Sequence, residues 1–169
     1  NSQDLQALYQ RVYAEGKEKF FTFPTMDISR EVLSEIDWAD RSVLEIGCGT
    51  GETAYLIAKA GGRVRAMDFA GSAIDEARRR HSHPELEFVP GSIDDVVGAF
   101  DAIVMQEVIE HLDDPKTAIA RLRDHLVPGG HLIVTCPSLL NIRGILWMTL
   151  QTLFRVPMSL TDRHILSPC

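Results

Sequence analysis

Cysteine is scarce in this chain: Cys48, Cys136 and Cys169 are the only three, widely spaced and without a CxxC pair. An odd, sparse count builds no disulfide framework and suits a reducing compartment, so the cytoplasm is the expected location. Long apolar runs are missing as well. The most apolar region, Ile142 to Val156, is broken by Arg143, Gln151 and Arg155, which leaves it too short and too interrupted to span a bilayer. Positive charge is the third shortage. Seventeen Lys and Arg stand against 24 Asp and Glu, a net charge of -7. Tracking a nucleic-acid backbone needs many cations, so nucleic acid is disfavoured as a partner, although a local basic patch is not excluded. No repeat, low-complexity stretch or signal peptide is visible, and a start at Asn1-Ser2 leaves targeting open. What remains is ordinary globular composition, with 45% hydrophobic and 24% charged residues and a mean hydropathy of -0.02. At 169 residues the chain has the size of one domain.

Apolar periodicity sketches the organisation. Asp4 to Lys19 reads as a helix with Leu5, Leu8, Tyr9 and Val12 on one stripe, stopped by Phe20-Phe21-Thr22-Phe23-Pro24. Asp27 is placed to cap a second helix through Ile36. Beyond residue 40, short apolar strands alternate with helices. Strands are expected at Ser42–Ile46, Val64–Met67, Leu86–Val89, Ala102–Met105 and His131–Thr135. Helices are expected at Thr53–Lys59, Ser72–Arg80 and Pro115–Leu126, with Pro128-Gly129-Gly130 as the turn into the fifth strand. Such alternation with short links argues for parallel βαβ units in an open α/β sheet. The sheet looks unfinished: one long helical segment follows the fifth strand, and Thr161 to Cys169 hold no final strand pair. The last strands are therefore expected to be lacking in this chain.

The first strand runs directly into Gly47-Cys48-Gly49-Thr50-Gly51. Glycine at these positions permits a tight turn, close approach of a ligand to bare backbone, and close packing of loop on helix. Asp68, at the end of the second strand, is placed to accept both hydroxyls of a nucleoside ribose. The loop is GxGxG, and Glu52 at the next helix start disfavours a pyrophosphate there. No GxxxxGK[ST] triphosphate loop occurs. A positively charged nucleoside without phosphates suits Glu45, Glu52 and Asp68 better. Cys48, inside the loop, is explained by the need for a small side chain.

Val43-Leu44-Glu45-Ile46-Gly47-Cys48-Gly49-Thr50-Gly51 resembles the first motif of class I S-adenosylmethionine-dependent methyltransferases. Phe100 to Leu112 resembles their fourth-strand motif, and Leu126 to Val134 their turn into the fifth strand. Within that class the combination is most similar to ubiquinone-biosynthesis-type small-molecule O-methyltransferases. The resemblance implies a Rossmann-like open parallel sheet with helices on both faces. It also implies one S-adenosylmethionine-binding domain over 1–169, with an N-terminal helical cap 1–40 and an amphipathic insert 138–157. Carried over by position, Glu45 and Gly47 border the methionyl end of the cofactor, beside Cys48. Gly49 and Gly51 admit its backbone approach, Asp68 holds the ribose, and Phe69 packs on the adenine face. Ser92 and Ile93 lie at the adenine edge. The family commonly has an acid where Ser92 stands, which shifts that contact to Asp94 or a backbone carbonyl. Gln106 lies near the methionine moiety.

Methyl transfer from a sulfonium needs mainly alignment and exclusion of water, and a base only if the acceptor arrives protonated. His111 is the candidate catalytic base, because imidazole titrates near neutrality; it shares a helix face with Glu107 if a helix has begun there. A loop-shaping role for His111 stays open. Glu107, Glu110 and His111 also offer ligand chemistry, but no further cluster completes a set, and no metal is expected. Asp113-Asp114 are read as solvating the loop and starting the next helix. His81 and His83 are expected to be exposed in a polar turn. The 142–156 helix reads as a lid, a peripheral membrane contact or a dimer contact. The expected activity is methyl transfer to a small, hydrophobic acceptor, oxygen favoured, by a monomer or homodimer. The alternatives are an N-methyltransferase acting on a small molecule, protein or RNA, and a non-catalytic cofactor-binding module.

Overall fold

The computed structural model of the chain describes residues 2–15 and 28–136. In chain order the elements are α1 (Ser2–Ala14), α2 (Ile28–Glu35), β1 (Ser42–Ile46), α3 (Glu52–Lys59), β2 (Arg63–Asp68), α4 (Gly71–Arg80), β3 (Leu86–Pro90), β4 (Phe100–Gln106), α5 (Pro115–Asp124) and β5 (Leu126–Thr135). The five strands pair in parallel in the order β3-β2-β1-β4-β5. The expected open parallel sheet is therefore present, and its order reverses between β1 and β4. Ligands of such sheets bind in the crevice beyond the carboxyl ends of the strands at that reversal.

Strands buried on both faces read as continuous apolar runs, and each alternate set of side chains enters its own core. Val43, Val64, Ala66, Phe88, Ala102 and Val104 pack with Val32 of α2, Ala54, Ile57 and Ala58 of α3, and Ile74 and Ala77 of α4. Leu44, Ile46, Met67, Phe100, Ile103 and Met105 face the other way and meet Leu122 of α5. Leu122 is fully buried and anchors its helix; truncating such a residue to Ala costs roughly 2–5 kcal/mol. The start of α5 is strongly marked. Asp114 accepts the Thr117 N–H at 3.1 Å and the Thr117 hydroxyl at 2.6 Å, and Pro115 occupies the first turn. This is the role expected of the Asp113-Asp114 pair.

Two boundaries differ from expectation for a physical reason. Pairing of β5 with β4 begins at Leu126 against Phe100 and resumes at His131 against Ala102. The Pro128-Gly129-Gly130 turn is therefore a bulge within β5, and α5 stops at Asp124 because Leu126 is already a strand residue. Gly130 is needed there: a Cβ would sit 2.9 Å from the Val127 carbonyl oxygen and 3.1 Å from that of Asp101. The first helix is described over Ser2–Ala14, and residues 16–19 of its expected span lie outside the described residues. It packs on α4, with the Gln6 amide donating to the Phe69 carbonyl at 2.8 Å and the Ser72 hydroxyl donating to the Gln10 carbonyl at 2.9 Å.

The outer edge of β3 is blunted. Glu85 and Gly91 bond inward to β2, so Leu86, Phe88 and Pro90 turn their backbone outward. Pro90 has no N–H to offer, and the Arg78 guanidinium takes the Phe88 carbonyl at 2.6 Å. Both devices discourage another strand from adding to this edge. Asp27 as a cap, the Phe20–Pro24 stop, the insert 138–157 with its 142–156 helix, and the expected lack of last strands all concern residues outside those described. Among the described residues no helix is long and apolar enough to cross a membrane.

Candidate functional site

The polypeptide leaves β1 through a loop that only glycine enters without strain. Gly47, Gly49 and Gly51 have φ of +71°, +51° and +82°, in the left-handed region that L side chains rarely adopt. At Gly47 space also decides, because a Cβ would meet a Val108 methyl at 2.3 Å. The Gly47 and Cys48 N–H groups both donate to the Met67 carbonyl, at 2.8 and 3.0 Å, which ties the loop to the end of β2. The next helix, α3, has Gly51 at its N-cap and so lacks a side-chain cap. The N–H of Ala54 in its first turn acts instead on the carboxylate of Glu45.

Two buried carboxylates support this loop. Asp68 is only 5% exposed; its Oδ2 accepts the Gly49 N–H and its Oδ1 the Ala70 N–H, each at 2.9 Å. Burial raises its pKa, against the opposing pull of these two N–H groups. Glu45 is 3% exposed, and burial pushes its pKa up to about 8, with the Asp68 charge adding to the rise. Its Oε2 has no hydrogen-bond partner among the described residues. Burial, followed by the charges of Glu45 and Asp68, also lifts the Cys48 thiol well above its ordinary value. Cys48 is accordingly a small space-filler, not a nucleophile.

The adenine-edge residues expected from the sequence follow β3, which is joined to this centre by the Gly91 N–H donating to the Asp68 carbonyl at 2.9 Å. Ser92 caps a 3-10 turn, Ile93–Asp95, and Asp95 accepts both the N–H and the hydroxyl of Ser92. These two bonds hold the Asp95 pKa below its ordinary value. Asp94 is ion-paired with Arg121 of α5, so of the two groups considered for an adenine contact, a backbone carbonyl is the less committed. Phe69 follows β2, half-buried, with its carbonyl accepting from the Gln6 amide of α1.

Beyond β4 the chain is strained. Gln106 closes the strand, half-buried and opposite Thr135. Glu107 has φ of +52°, uncommon for a residue with a side chain and frequent at functional sites. Thr135 holds it twice: its carbonyl accepts the Glu107 N–H at 3.1 Å, and its hydroxyl donates to Oε1 at 3.2 Å. Burial raises the Glu107 pKa, with that hydroxyl opposing. A 3-10 turn, Ile109–His111, follows. No helix has begun at Glu107, so it does not share a helix face with His111, and that expectation is corrected. The neighbour of His111 is Glu110, with Oε1 3.9 Å from Nε2. Burial first, and then the Glu107 charge, lifts Glu110 to about 7, and its buried Oε2 has no partner among the described residues. Sequence reading did not single out Glu110 as a proton-handling group, because its neutral-range titration is produced by tertiary burial. Among the described residues no group of three or more His, Cys, Asp or Glu is arranged to hold a metal ion.

His81 is a second correction. Its side chain is 11% exposed, not lying free in a turn; it stacks on Tyr55 with ring centroids 4.7 Å apart and meets Glu52 Oε2 at 3.1 Å. His83 is half-buried, its Nδ1 accepting the Glu85 N–H at 3.2 Å. The fold thus gathers Glu45, Gly47, Cys48, Gly49, Gly51 and Asp68 into one hydrogen-bonded rim. It brings the β4 loop against that rim through Val108 on Gly47, and leaves Ser92 and Ile93 on the β3 side. Such a rim sets side-chain-free glycine backbone beside two buried carboxyl groups.

Comparison with known proteins agrees with this geometry. A family model described as a methyltransferase domain matches residues 44–134. The mitochondrial ubiquinone biosynthesis O-methyltransferase of Schizosaccharomyces pombe is 29% identical over 133 residues, covering 74% of this chain and 48% of that protein. The ubiquinone biosynthesis O-methyltransferase of Xanthomonas oryzae pv. oryzae is 32% identical over 110 residues, covering 62% of this chain and 46% of that protein. The chain thus spans about half the length of these curated relatives. Among solved structures, magnesium protoporphyrin IX methyltransferase from Synechocystis PCC 6803 with bound SAH superposes with a TM-score of 0.74 at 13% identity, covering 94% of this chain and 81% of that one. That likeness is one of fold.

Proposed function

The chain belongs to the methyltransferase-domain family, and from that premise we propose that it binds S-adenosylmethionine and methylates a small, apolar acceptor, at oxygen in preference to nitrogen. The observation that carries the reading is the left-handed glycine rim bounded by two buried carboxyl groups, one with an oxygen that has no partner among the described residues. A ligand that brings positive charge and a ribose without phosphates complements such a rim. Oxygen is favoured as acceptor by the likeness to the two O-methyltransferases.

When bound, S-adenosylmethionine supplies a methyl group already activated on a sulfonium. The chain's own residues then bind, align and manage a proton. Gly47 to Gly51 let the backbone approach the methionyl end, next to Glu45. Asp68 keeps lone pairs for the ribose hydroxyls beyond those given to Gly49 and Ala70, since a carboxylate offers about four acceptor sites. Phe69 packs on the adenine, Ser92 and Ile93 line its edge, and Gln106 flanks the methionine. His111 accepts the proton of a phenolic acceptor, and Glu110 beside it stabilises the resulting charge. In this reading 1–169 work as one domain, as a monomer or homodimer in the cytoplasm. The apolar 142–156 segment shapes acceptor entry or rests on a membrane surface.

The test is transfer of labelled methyl from S-adenosylmethionine by the full-length protein to a panel of apolar phenols, amines and lipid-like acceptors. Label on phenolic oxygen is expected. Label confined to nitrogen would overturn the oxygen assignment, and binding of S-adenosylmethionine without transfer to any acceptor would leave a cofactor-binding module in its place.

A further inference from the structure

Glu45 does two things at once. It stands in for the cap that Gly51 cannot supply to α3, and it keeps a second oxygen, Oε2, buried without a donor among the described residues. Beyond the Ala54 N–H, no cation is paired with it among the described residues. Its register neighbours are Ala66 on β2 and Val104 on β4, both apolar and fully buried. Asp68 at the end of β2 is of like charge, and Cys48 in the loop is a thiol held protonated. On α3, Glu52 is exposed and turned to His81; the β4 loop adds Glu107, Glu110 and His111 at the same edge of the sheet. An ionised carboxylate in apolar surroundings with no counter-cation is far costlier than its neutral acid. The neutral acid still accepts the Ala54 N–H through its carbonyl oxygen, so protonation leaves the cap of α3 intact.

We propose that Glu45 carries a proton in the cofactor-free protein and releases it to solvent when the cationic methionyl end of S-adenosylmethionine docks, so that cofactor binding is coupled to loss of one proton. This rests on the cofactor reading above. The carboxyl O–H bond breaks, the proton passes to buffer, and the ligand ammonium keeps its own protons and takes the new carboxylate as counter-charge. The sign follows directly: a ligand that expels a proton binds more tightly as pH rises, until the free protein has lost that proton itself.

The experiment is calorimetry of S-adenosylhomocysteine binding to the full-length protein near pH 7, in buffers of low and high ionisation enthalpy. The heat is expected to depend on the buffer with a slope of about one proton released, and affinity should rise about tenfold per pH unit below the titration of Glu45. Glu45→Gln, which is neutral at every pH, should bind with heat independent of buffer and affinity flat in pH. Should that variant fail to fold, Glu110→Gln decides, because Glu110 is the other carboxyl lifted into the neutral range and release must persist without it. A buffer-independent heat in the wild type, release surviving in Glu45→Gln, or release lost in Glu110→Gln would overturn the assignment to Glu45. Absence of any S-adenosylhomocysteine binding would instead overturn the cofactor reading itself.

Discussion

The rim beside β1 and β2 is set by the backbone, whereas the rim beyond β4 is set by side chains. In the first, three glycines turn through left-handed conformations, and the N–H groups of Gly47, Gly49 and Gly51 donate to the Met67 carbonyl, the Asp68 carboxyl and the Cys48 carbonyl. In the second, a non-glycine residue is forced into the same conformation and held by Thr135, and the polar groups are the half-buried Glu107, Glu110 and His111. A backbone-built rim tolerates little substitution and suits recognition of a constant ligand. A side-chain rim can be retuned residue by residue, which suits an acceptor that varies. Substitutions that separate recognition from turnover test this division.

The largest effect is expected at Gly47. Alanine there must adopt φ of +71° and place its Cβ 2.3 Å from a Val108 methyl, so S-adenosylhomocysteine affinity should fall by more than ~100-fold, from a few kcal/mol of combined strain and overpacking. Adding Val108→Ala should recover part of the loss by removing the clash but not the strain. Near-native affinity of Gly47→Ala alone would break the claim that backbone shape governs this half.

His111→Ala should leave cofactor affinity nearly unchanged and lower turnover by roughly 100-fold. The loss should shrink for more acidic acceptors, and single-turnover rates plotted against acceptor pKa read this directly. Parallel plots for wild type and variant would assign His111 to loop shape. The turnover rate should also rise with pH as Glu110 ionises near about 7. Glu110→Gln, which cannot ionise, should abolish that rise.

Asp68→Ala removes charge-assisted hydrogen bonds worth roughly 1.5–3 kcal/mol, so affinity for S-adenosylhomocysteine should drop about tenfold or more while the circular-dichroism spectrum stays native-like. An unchanged dissociation constant would mean that Asp68 serves only the Gly49 and Ala70 N–H groups. The smallest effect belongs to His81, which pairs with the exposed Glu52 at the start of α3. His81→Ala breaks a pair whose partner Glu52 is 65% exposed, so melting should shift by no more than a few degrees, with ligand affinity unchanged.

The same division explains what could be read in the sequence. β1 appears with the expected bounds because Ser42-Val43-Leu44-Glu45-Ile46 is an apolar run ended by glycine. The glycine loop and Asp68 were legible because conformational demand and residue type coincide there. The bulge in β5 was not, because Pro128-Gly129-Gly130 signals a turn equally well whether pairing resumes after it or has begun before it. Glu107 defeats helical-face reasoning, since nothing local marks a glutamate destined for a left-handed conformation imposed by Thr135 on another strand. Glu110 and His81 were missed for a related reason. Burial and stacking partners such as Tyr55 arrive from distant segments, and short-range spacing carries no trace of them.

The most direct test of the central claim is side-by-side calorimetry of S-adenosylhomocysteine and NAD with the full-length protein. A rim that pairs bare glycine backbone with buried carboxylates, and has Glu52 where a pyrophosphate would seek the helix end, should bind S-adenosylhomocysteine in the micromolar range. NAD should bind at least about tenfold more weakly, a gap of about 1.4 kcal/mol. NAD binding equal to or tighter than S-adenosylhomocysteine would contradict the account.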